Sequence, residues 1–441
     1  MPVDFLDGIE EMRQDLKGKK LMMMSGSQKA CEIVNVAHQM GIIVYETDWY
    51  KDSPAKKVVD KSFMVSTADV DAVVDLCRKE GVDGIISGFT DSVLPYQQQV
   101  CEKLGFPFWG DSQNIAMCID KKLFKEACEN AGLPVVPYIR LTESDYEQIL
   151  PEIKVPVVFK PIDNSGSRGV YKCYDEADKK ALLEKSLSFS KSKEVLAEKM
   201  MNAEKEFSVY YMLNDGQVYL TAMMDRIVMP SDTVTAPITQ AVIFPSSLLS
   251  LWESEMDPYV RKFFEMNNMR NGYVFMQGFY DDGRLYVHEM GYRLNGGVAY
   301  KIVEHFSGFN QIEQLIRFTL TGRMEDKEVG KTNPHFDGYG LILATTLNNG
   351  TIGKVSGLDK VGRIDGVLDC RQYHFEGDSV NGLGTSANDY ADIFMVASSL
   401  DKLAGMISQI EELLKVVDTE GNNMLLPFLD IKRIPFLYRQ S

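Results

Sequence analysis

The chain has 441 residues, 45% of them hydrophobic, and a formal net charge of −16 at pH 7. That length is enough for about two to four lobes with sizeable cores. The charge argues against nucleic acid as a partner, because phosphate contacts need a basic patch.

The apolar runs at 21–24 and 84–86 are too short to span a bilayer. The start, Met1-Pro2-Val3-Asp4, lacks the basic segment of a signal peptide, so a cytoplasmic protein without a membrane partner is expected. Seven cysteines without a C-x-x-C pair, and five histidines without an H-E-x-x-H pattern, argue against a disulfide framework and a zinc site.

Residues 20–25, 42–46 and 84–87 read as strands, 28–39, 69–80 and 92–104 as helices, and 107–109 as a short strand. Strands alternating with helices predict a parallel, doubly wound sheet. Ligands of such sheets sit in loops at the carboxyl ends of strands. Here those loops are Ser25-Gly26-Ser27 and Phe89-Thr90-Asp91-Ser92, for which ordinary turns are the competing reading.

Residues 111–132 read as two linking helices, and 135–199 as strand, glycine loop, strand, helix, strand. Strands are expected at 207–213, 218–223, 274–280 and 285–290, with hairpin turns at Asn214-Asp215-Gly216 and Asp281-Asp282-Gly283. A helix is expected at 311–321. Residues 333–441 read as a separate β-rich lobe with one helix over 393–414.

Several residues suit phosphate and metal chemistry. Lys160 ends the apolar strand Val157-Val158-Phe159, which would hold a compact ammonium at a lobe edge. Asn164-Ser165-Gly166-Ser167-Arg168-Gly169-Val170 lies between two strands, and its glycines permit a loop whose N–H groups close over phosphate. It lacks the G-K-[ST] ending of a Walker A loop, and a simple hairpin is the alternative. Lys121 starts a helix with Asp120 as N-cap.

Glu198, Lys199, Met200 and Met201 follow a strand and suit an adenine edge, with Glu206 placed for ribose; a charged hairpin fits them equally. Gln277 and Glu289 fall on the two strands of one hairpin, and hard oxygens facing one cavity suit Mg²⁺. Arg293 suits an oxyanion, or a salt bridge to a strand carboxylate.

Taken in order, these segments resemble the ATP-grasp superfamily over roughly residues 1–330. The likeness is nearest to the branch of L-amino-acid ligases and carbamoyl-phosphate-synthetase-like enzymes. The resemblance implies an α/β protein with α+β lobes. Its parts are a Rossmann-like parallel-sheet domain (1–119), a small lobe with the glycine flap (120–200), a large lobe with the metal site (201–330) and a β-rich C-terminal part (331–441).

By resemblance, Lys121, Lys160 and the flap residues Ser165, Gly166, Ser167 and Gly169 take phosphate. Glu198, Lys199, Met200 and Met201 take adenine, Glu206 takes ribose, Gln277 and Glu289 take Mg²⁺, and Arg293 takes an acyl phosphate. Lys160 and Arg293 are the expected catalytic pair.

The implied activity is ATP-dependent amide formation from a carboxylate and an amine, with ATP and Mg²⁺ as cofactors and small molecules as partners. A homodimer is left open. Glutamine at 277 and glycine at 291, where relatives carry a carboxylate and an asparagine, depart from the pattern. The alternatives are a purine-type ligase acting on a phosphoribosyl amine and a nucleotide-binding module without turnover.

Overall fold

The computed structural model describes residues 15–164, 168–202, 205–229, 238–297, 299–383 and 386–430. Strands β1 (Lys20–Met24), β2 (Ile43–Thr47), β3 (Lys61–Phe63) and β4 (Gly84–Ser87) form the parallel sheet expected, in the order β3-β2-β1-β4. Leu21 and Met23 enter one core cluster and Met22 and Met24 another. A strand covered on both faces needs such a continuous apolar run. The covering helices are Cys31–Gln39, Val70–Glu80 and Leu94–Leu104. The second starts where the Asp69 carboxylate accepts from Ala72 N and stops at Gly81 in the left-handed region.

No strand forms at 107–109. Pro107 has no N–H for a ladder, and Trp109 is engaged elsewhere. Its indole N–H donates to the Tyr292 carbonyl at 2.9 Å, and the Tyr292 hydroxyl donates to the Trp109 carbonyl at 2.8 Å. This reciprocal pair ties the end of the first domain to the strand hairpin that carries the candidate site.

The helices Ser112–Ile119 and Lys121–Ala131 lead to a second sheet of β5 (Tyr138–Thr142), β6 (Val157–Pro161), β7 (Tyr171–Cys173) and β8 (Glu194–Lys199). Its order is β5-β8-β6-β7, with every pairing antiparallel.

The largest sheet has eight strands. They include β9 (Glu206–Asn214), β10 (Gln217–Val228), β11 (Thr239–Phe244), β12 (Gly272–Asp281), β13 (Arg284–Gly291) and β14 (Tyr339–Thr346). After β15 (Gly350–Ser356) come β16 (Val367–Gln372), β17 (Ser379–Val380), β18 (Asp389–Ala397) and β19 (Lys415–Asp418). The large sheet runs β13-β12-β9-β10-β11-β14-β18-β16, and β17-β15-β19 form a small one. Strands from 339 onward therefore extend the sheet that begins at 206.

Both expected hairpin turns form, with Asp215, Gly216, Asp282 and Gly283 all at positive φ. The helix expected over 393–414 divides: 393–397 complete β18, and the helix is Leu400–Leu413, capped by Ser399. Ile393 and Met395 pack into one core while Phe394 and Val396 pack into another. A strand buried on both faces has no alternation to distinguish it from a helix.

All seven cysteines are free thiols. Among the described residues no helix is long and apolar enough to cross a membrane.

A Cβ at Gly278 on β12 would stand 2.2 Å from the Tyr286 carbonyl and 2.4 Å from the Phe207 ring. Gly278→Ala is therefore expected to destabilise the protein by about 1–3 kcal/mol, read from the urea midpoint. An unchanged midpoint would show that the hairpin relaxes freely at this position.

Candidate active site

The β12–β13 hairpin places Gln277 opposite Glu289, and the register slips between Gln277 and Gly278. Directly opposed antiparallel residues project from one face, so an amide and a carboxylate oxygen stand together as expected. Gln277 Nε2 donates to Ser208 Oγ at 3.2 Å, which leaves its carbonyl oxygen for a ligand. The slip places an extra residue, His288, on β13 between the partners of Gln277 and Gly278.

Facing this hairpin is a buried charge triad on the small lobe. Glu198 lies between two lysines, with Lys160 at 2.6 Å and Lys125 at 3.1 Å. Its side chain is 2% exposed and that of Lys125 is fully buried. Burial alone would raise the Glu198 pKa, but Lys160 and Lys125 outweigh it and hold the carboxyl at about 2.

Burial likewise opposes the charge on Lys160, yet Glu198 keeps its ammonium above the usual lysine value. Lys125 also donates to the Val136 carbonyl at 2.9 Å. Sequence reading missed Lys125, although its i+4 spacing from Lys121 on one helix put both on the same face.

Lys121 Nζ donates to the Asn164 carbonyl at 2.6 Å. Burial lowers the Lys121 pKa, while Glu289 and Glu198 counteract. Lys121, Lys160, Glu198 and Glu289 thus share one electrostatic neighbourhood. Ser165, Gly166 and Ser167 lie outside the described residues. Gly169 is at φ +79°, and a Cβ there would stand 2.6 Å from Phe189 and 2.8 Å from Pro161.

The remaining expected residues are placed as follows. Backbone pairing engages Glu198 on both sides, with Tyr138 and Val158, and its carboxylate turns to the lysines. Lys199 Nζ bonds Asp281 at 2.7 Å, which ties the end of β8 to the tip of the hairpin. Met200 and Met201 follow it, half-buried. Glu206 receives Arg226 Nη1 on both carboxylate oxygens at 2.7 Å.

Arg293 Nε donates to Asp91 Oδ1 at 2.7 Å, and its Nη2 donates to the other Asp91 oxygen. This salt bridge crosses between domains to the loop 89–92 rather than to a neighbouring strand. A Cβ at Gly291 would stand 2.3 Å from the Phe275 ring, and the Arg293 guanidinium lies 5.1 Å from that ring's centre. Phe275 thus occupies the room that a side chain at 291 would need. Asn295 Oδ1 accepts from Gly297 N at 2.6 Å.

A cavity of about 730 Å³ opens onto Lys121, Asn164, Gln277, Glu289, Arg293 and Asp91. The structure therefore brings the hairpin pair, the helix lysine and the arginine to one cavity. Lys160, Glu198 and Glu206 do not line that cavity. Among the described residues no group of three or more His, Cys, Asp or Glu forms a metal cage. Gln277 and Glu289 still fit Mg²⁺, which keeps several waters and is completed by substrate phosphates.

His288 is 8% exposed, and among the described residues neither ring nitrogen has a hydrogen-bond partner. It stacks on Phe279 with ring centres 5.0 Å apart. Burial, then the positive charge of Lys160, holds its pKa well below the usual value. The native state thus keeps His288 neutral while the unfolded chain protonates below about pH 6.5.

Stability is therefore expected to fall as pH drops through 6.5, and His288→Phe should flatten that fall. Urea midpoints of both proteins at pH 7.5 and 5.5 test this, and equal pH dependence would refute it. Lys125→Ala leaves Glu198 with one partner and is expected to cost about 3–5 kcal/mol, whereas Lys125→Met should lose less because its chain still packs. Equal midpoints for wild type and the alanine variant would remove the triad from the stabilising interactions.

Residues 120–247 match the family model of the carbamoyl-phosphate synthase L chain, ATP binding domain. Formate-dependent phosphoribosylglycinamide formyltransferase of Sulfurisphaera tokodaii is 26% identical over 210 residues, 45% of this chain and 52% of that protein. The chain thus spans about half the length of the curated relatives it matches.

Among solved structures, L-amino acid ligase from Bacillus licheniformis superposes with a TM-score of 0.75 at 19% identity, over 91% of this chain and 99% of that one. The biotin carboxylase domain of Hydrogenobacter thermophilus 2-oxoglutarate carboxylase, in complex with MgADP, gives 0.72 at 19%, over 95% and 93%. Residues 120–247, which carry the lysines and the triad, thus match an ATP-binding domain, and the fold of the chain is shared nearly end to end with these solved structures.

Proposed function

We propose that the protein is an ATP-dependent ligase that joins a carboxylate to an amine through an acyl phosphate, releasing ADP and phosphate. The observation that carries this reading is the single cavity onto which Lys121, the opposed Gln277 and Glu289, and Arg293 all open. Lysines beside a nucleotide stabilise the charge on a phosphoryl group in transfer. Mg²⁺, held by Gln277 and Glu289, would neutralise phosphate oxygens there.

Arg293 has its Nε and Nη2 faces bound to Asp91 and its Nη1 donating to the Leu294 carbonyl at 2.8 Å. That clamp fixes the guanidinium plane at the cavity wall, which suits an oxyanion with a set position. Lys160, paired with Glu198 and outside the cavity lining, acts as an electrostatic support. The reading keeps Glu198, Lys199, Met200, Met201 and Glu206 on the adenosine side. There the Lys199–Asp281 bond joins the two lobes around the cleft.

A second reading draws on the curated relatives, whose name describes a formyltransferase acting on phosphoribosylglycinamide. On that reading the amine is carried by a sugar phosphate. Without turnover, the same geometry would serve a nucleotide-binding module.

Phosphate release from MgATP, measured against pooled carboxylates and amines with mass spectrometry of active wells, separates the three. A condensed product from an acid and an amine supports the ligase, and a phosphoribosyl product supports the second reading. Tight ATP binding without release under every pairing sinks both.

Arg293→Ala is expected to keep nucleotide affinity within about threefold while product formation falls by about 10²-fold or more. Unchanged product formation would remove Arg293 from the reaction. Glu289→Gln is expected to raise the Mg²⁺ concentration needed for half-maximal activity, and an unaltered magnesium titration would take Glu289 out of the metal site.

A further inference from the structure

The end of β2 buries a carboxyl group that the candidate site does not use. Glu46 is fully buried. Its Oε1 accepts from Ser53 Oγ at 3.0 Å, and its Oε2 has no hydrogen-bond partner among the described residues. A second carboxylate, Asp48, follows two residues on. Its Oδ2 accepts from Gly26 N at 3.2 Å and its Oδ1 from Tyr50 N at 3.0 Å.

The loop Ser25-Gly26-Ser27 rests directly on this pair. A Cβ at Gly26 would collide with Glu46 Oε1 and stand 2.7 Å from Ser53 Oγ. The Gly26 carbonyl accepts from Ala55 N at 3.0 Å, and Ser25 N donates to the Thr47 carbonyl at 3.1 Å. Ser25 is at φ +80°, a region that a serine keeps only where its surroundings hold it. The loop is thus a strained segment held down by a few bonds, all of them to the stretch 47–55.

The titratable groups facing Glu46 are Asp48 after its own strand, Lys56 on the short helix Pro54–Lys57, and Cys31 at the start of the helix Cys31–Gln39. β1 and β3 set Met23 and Ser62 beside it. The Lys56 ammonium donates to the Asp48 and Tyr50 carbonyls at 2.7 and 2.5 Å. Burial raises the Glu46 carboxyl from 4.5 to about 7; Ser53 and Lys56 pull it down and Asp48 adds to the rise. Once ionised, it is a buried anion with one oxygen unpaired, close to a second carboxylate, which is costly. Lifting the loop lets water reach that oxygen.

We propose that Glu46 makes the Ser25–Ser27 loop a pH-sensitive latch, closed over the protonated carboxyl and opened to water when that carboxyl ionises. The latch lies beside the support of the arginine clamp. A Cβ at Gly88 would stand 3.9 Å from the Ser25 carbonyl, and Asp91, which holds Arg293, is three residues further on. The latch itself does not rest on the ligase reading. The closed loop keeps the proton up to about pH 7, whereas a solvated carboxyl releases it near 4.5, so opening grows with pH and levels off above 7. Between pH 6.0 and 8.5 those two values give about a tenfold rise in opening.

The test is amide hydrogen exchange of the full chain from pH 6.0 to 8.5, read by mass spectrometry and corrected for intrinsic rates. Peptides holding Gly26 and Ala55 are expected to exchange about tenfold faster at the upper pH. Peptides over the helix Leu400–Leu413 should keep one rate and serve as the control. Glu46→Gln should hold the loop closed throughout. Ser53→Ala removes the hydroxyl that donates to the carboxylate, and should move the levelling-off to higher pH.

Equal protection of the wild-type loop at both ends of the range overturns the latch. So does a Glu46→Gln protein whose loop still loosens as pH rises, since the sensor would then lie elsewhere. Should Glu46→Gln fail to fold, the serine variant decides: a pH profile identical to wild type counts against Glu46, and a profile displaced upwards supports it.

Discussion

The carboxylate of Glu198, held out of water between two ammonium groups, is the constraint on which the candidate site rests. A lone carboxylate in that position would be prohibitively costly, and a lone buried lysine hardly less so. The three charges are stable only together, and they come from different elements. Lys125 is on the helix Lys121–Ala131, Lys160 on β6 and Glu198 on β8. Meeting the charge balance therefore fixes the helix against the small sheet. Lys121, one turn before Lys125, is thereby set beside the cavity, where it donates to the Asn164 carbonyl. Stability and site geometry are the same interaction seen from two sides.

A second set of contacts binds the domains at the other end of the cavity. Trp109 and Tyr292 exchange hydrogen bonds, and the next residue, Arg293, is clamped by Asp91 from the loop after β4. Phe275 fills the space left by Gly291 and lies under the guanidinium. The loop after β4 therefore borders the candidate site, where Asp91 holds the Arg293 guanidinium. Chain segments some 200 residues apart in sequence converge here because each satisfies a polar group the other would leave buried.

The sequence by itself determined the parallel sheet at the start, both Asp-Gly hairpin turns, and the opposition of Gln277 and Glu289. Each depends on short-range physics: apolar runs of strand length, residues that accept positive φ, and period-two alternation on one hairpin. The Asp120 cap and the start of its helix were legible for the same reason. Where local signals were ambiguous the reading slipped, as at 393–397, whose burial on both faces erased the alternation, and at 107–109, where Trp109 found its partners in Tyr292.

Only the tertiary structure decided which charges meet. Nothing in the spacing of Lys125, Lys160 and Glu198 announces a buried triad, because ion pairing depends on distance in space and on exclusion of water. The same holds for Arg226 with Glu206 and for Asp91 with Arg293. A residue's type states what it is able to bind. Which partner it binds, and whether it is left waiting for a ligand, is set by the packing of elements distant in the chain.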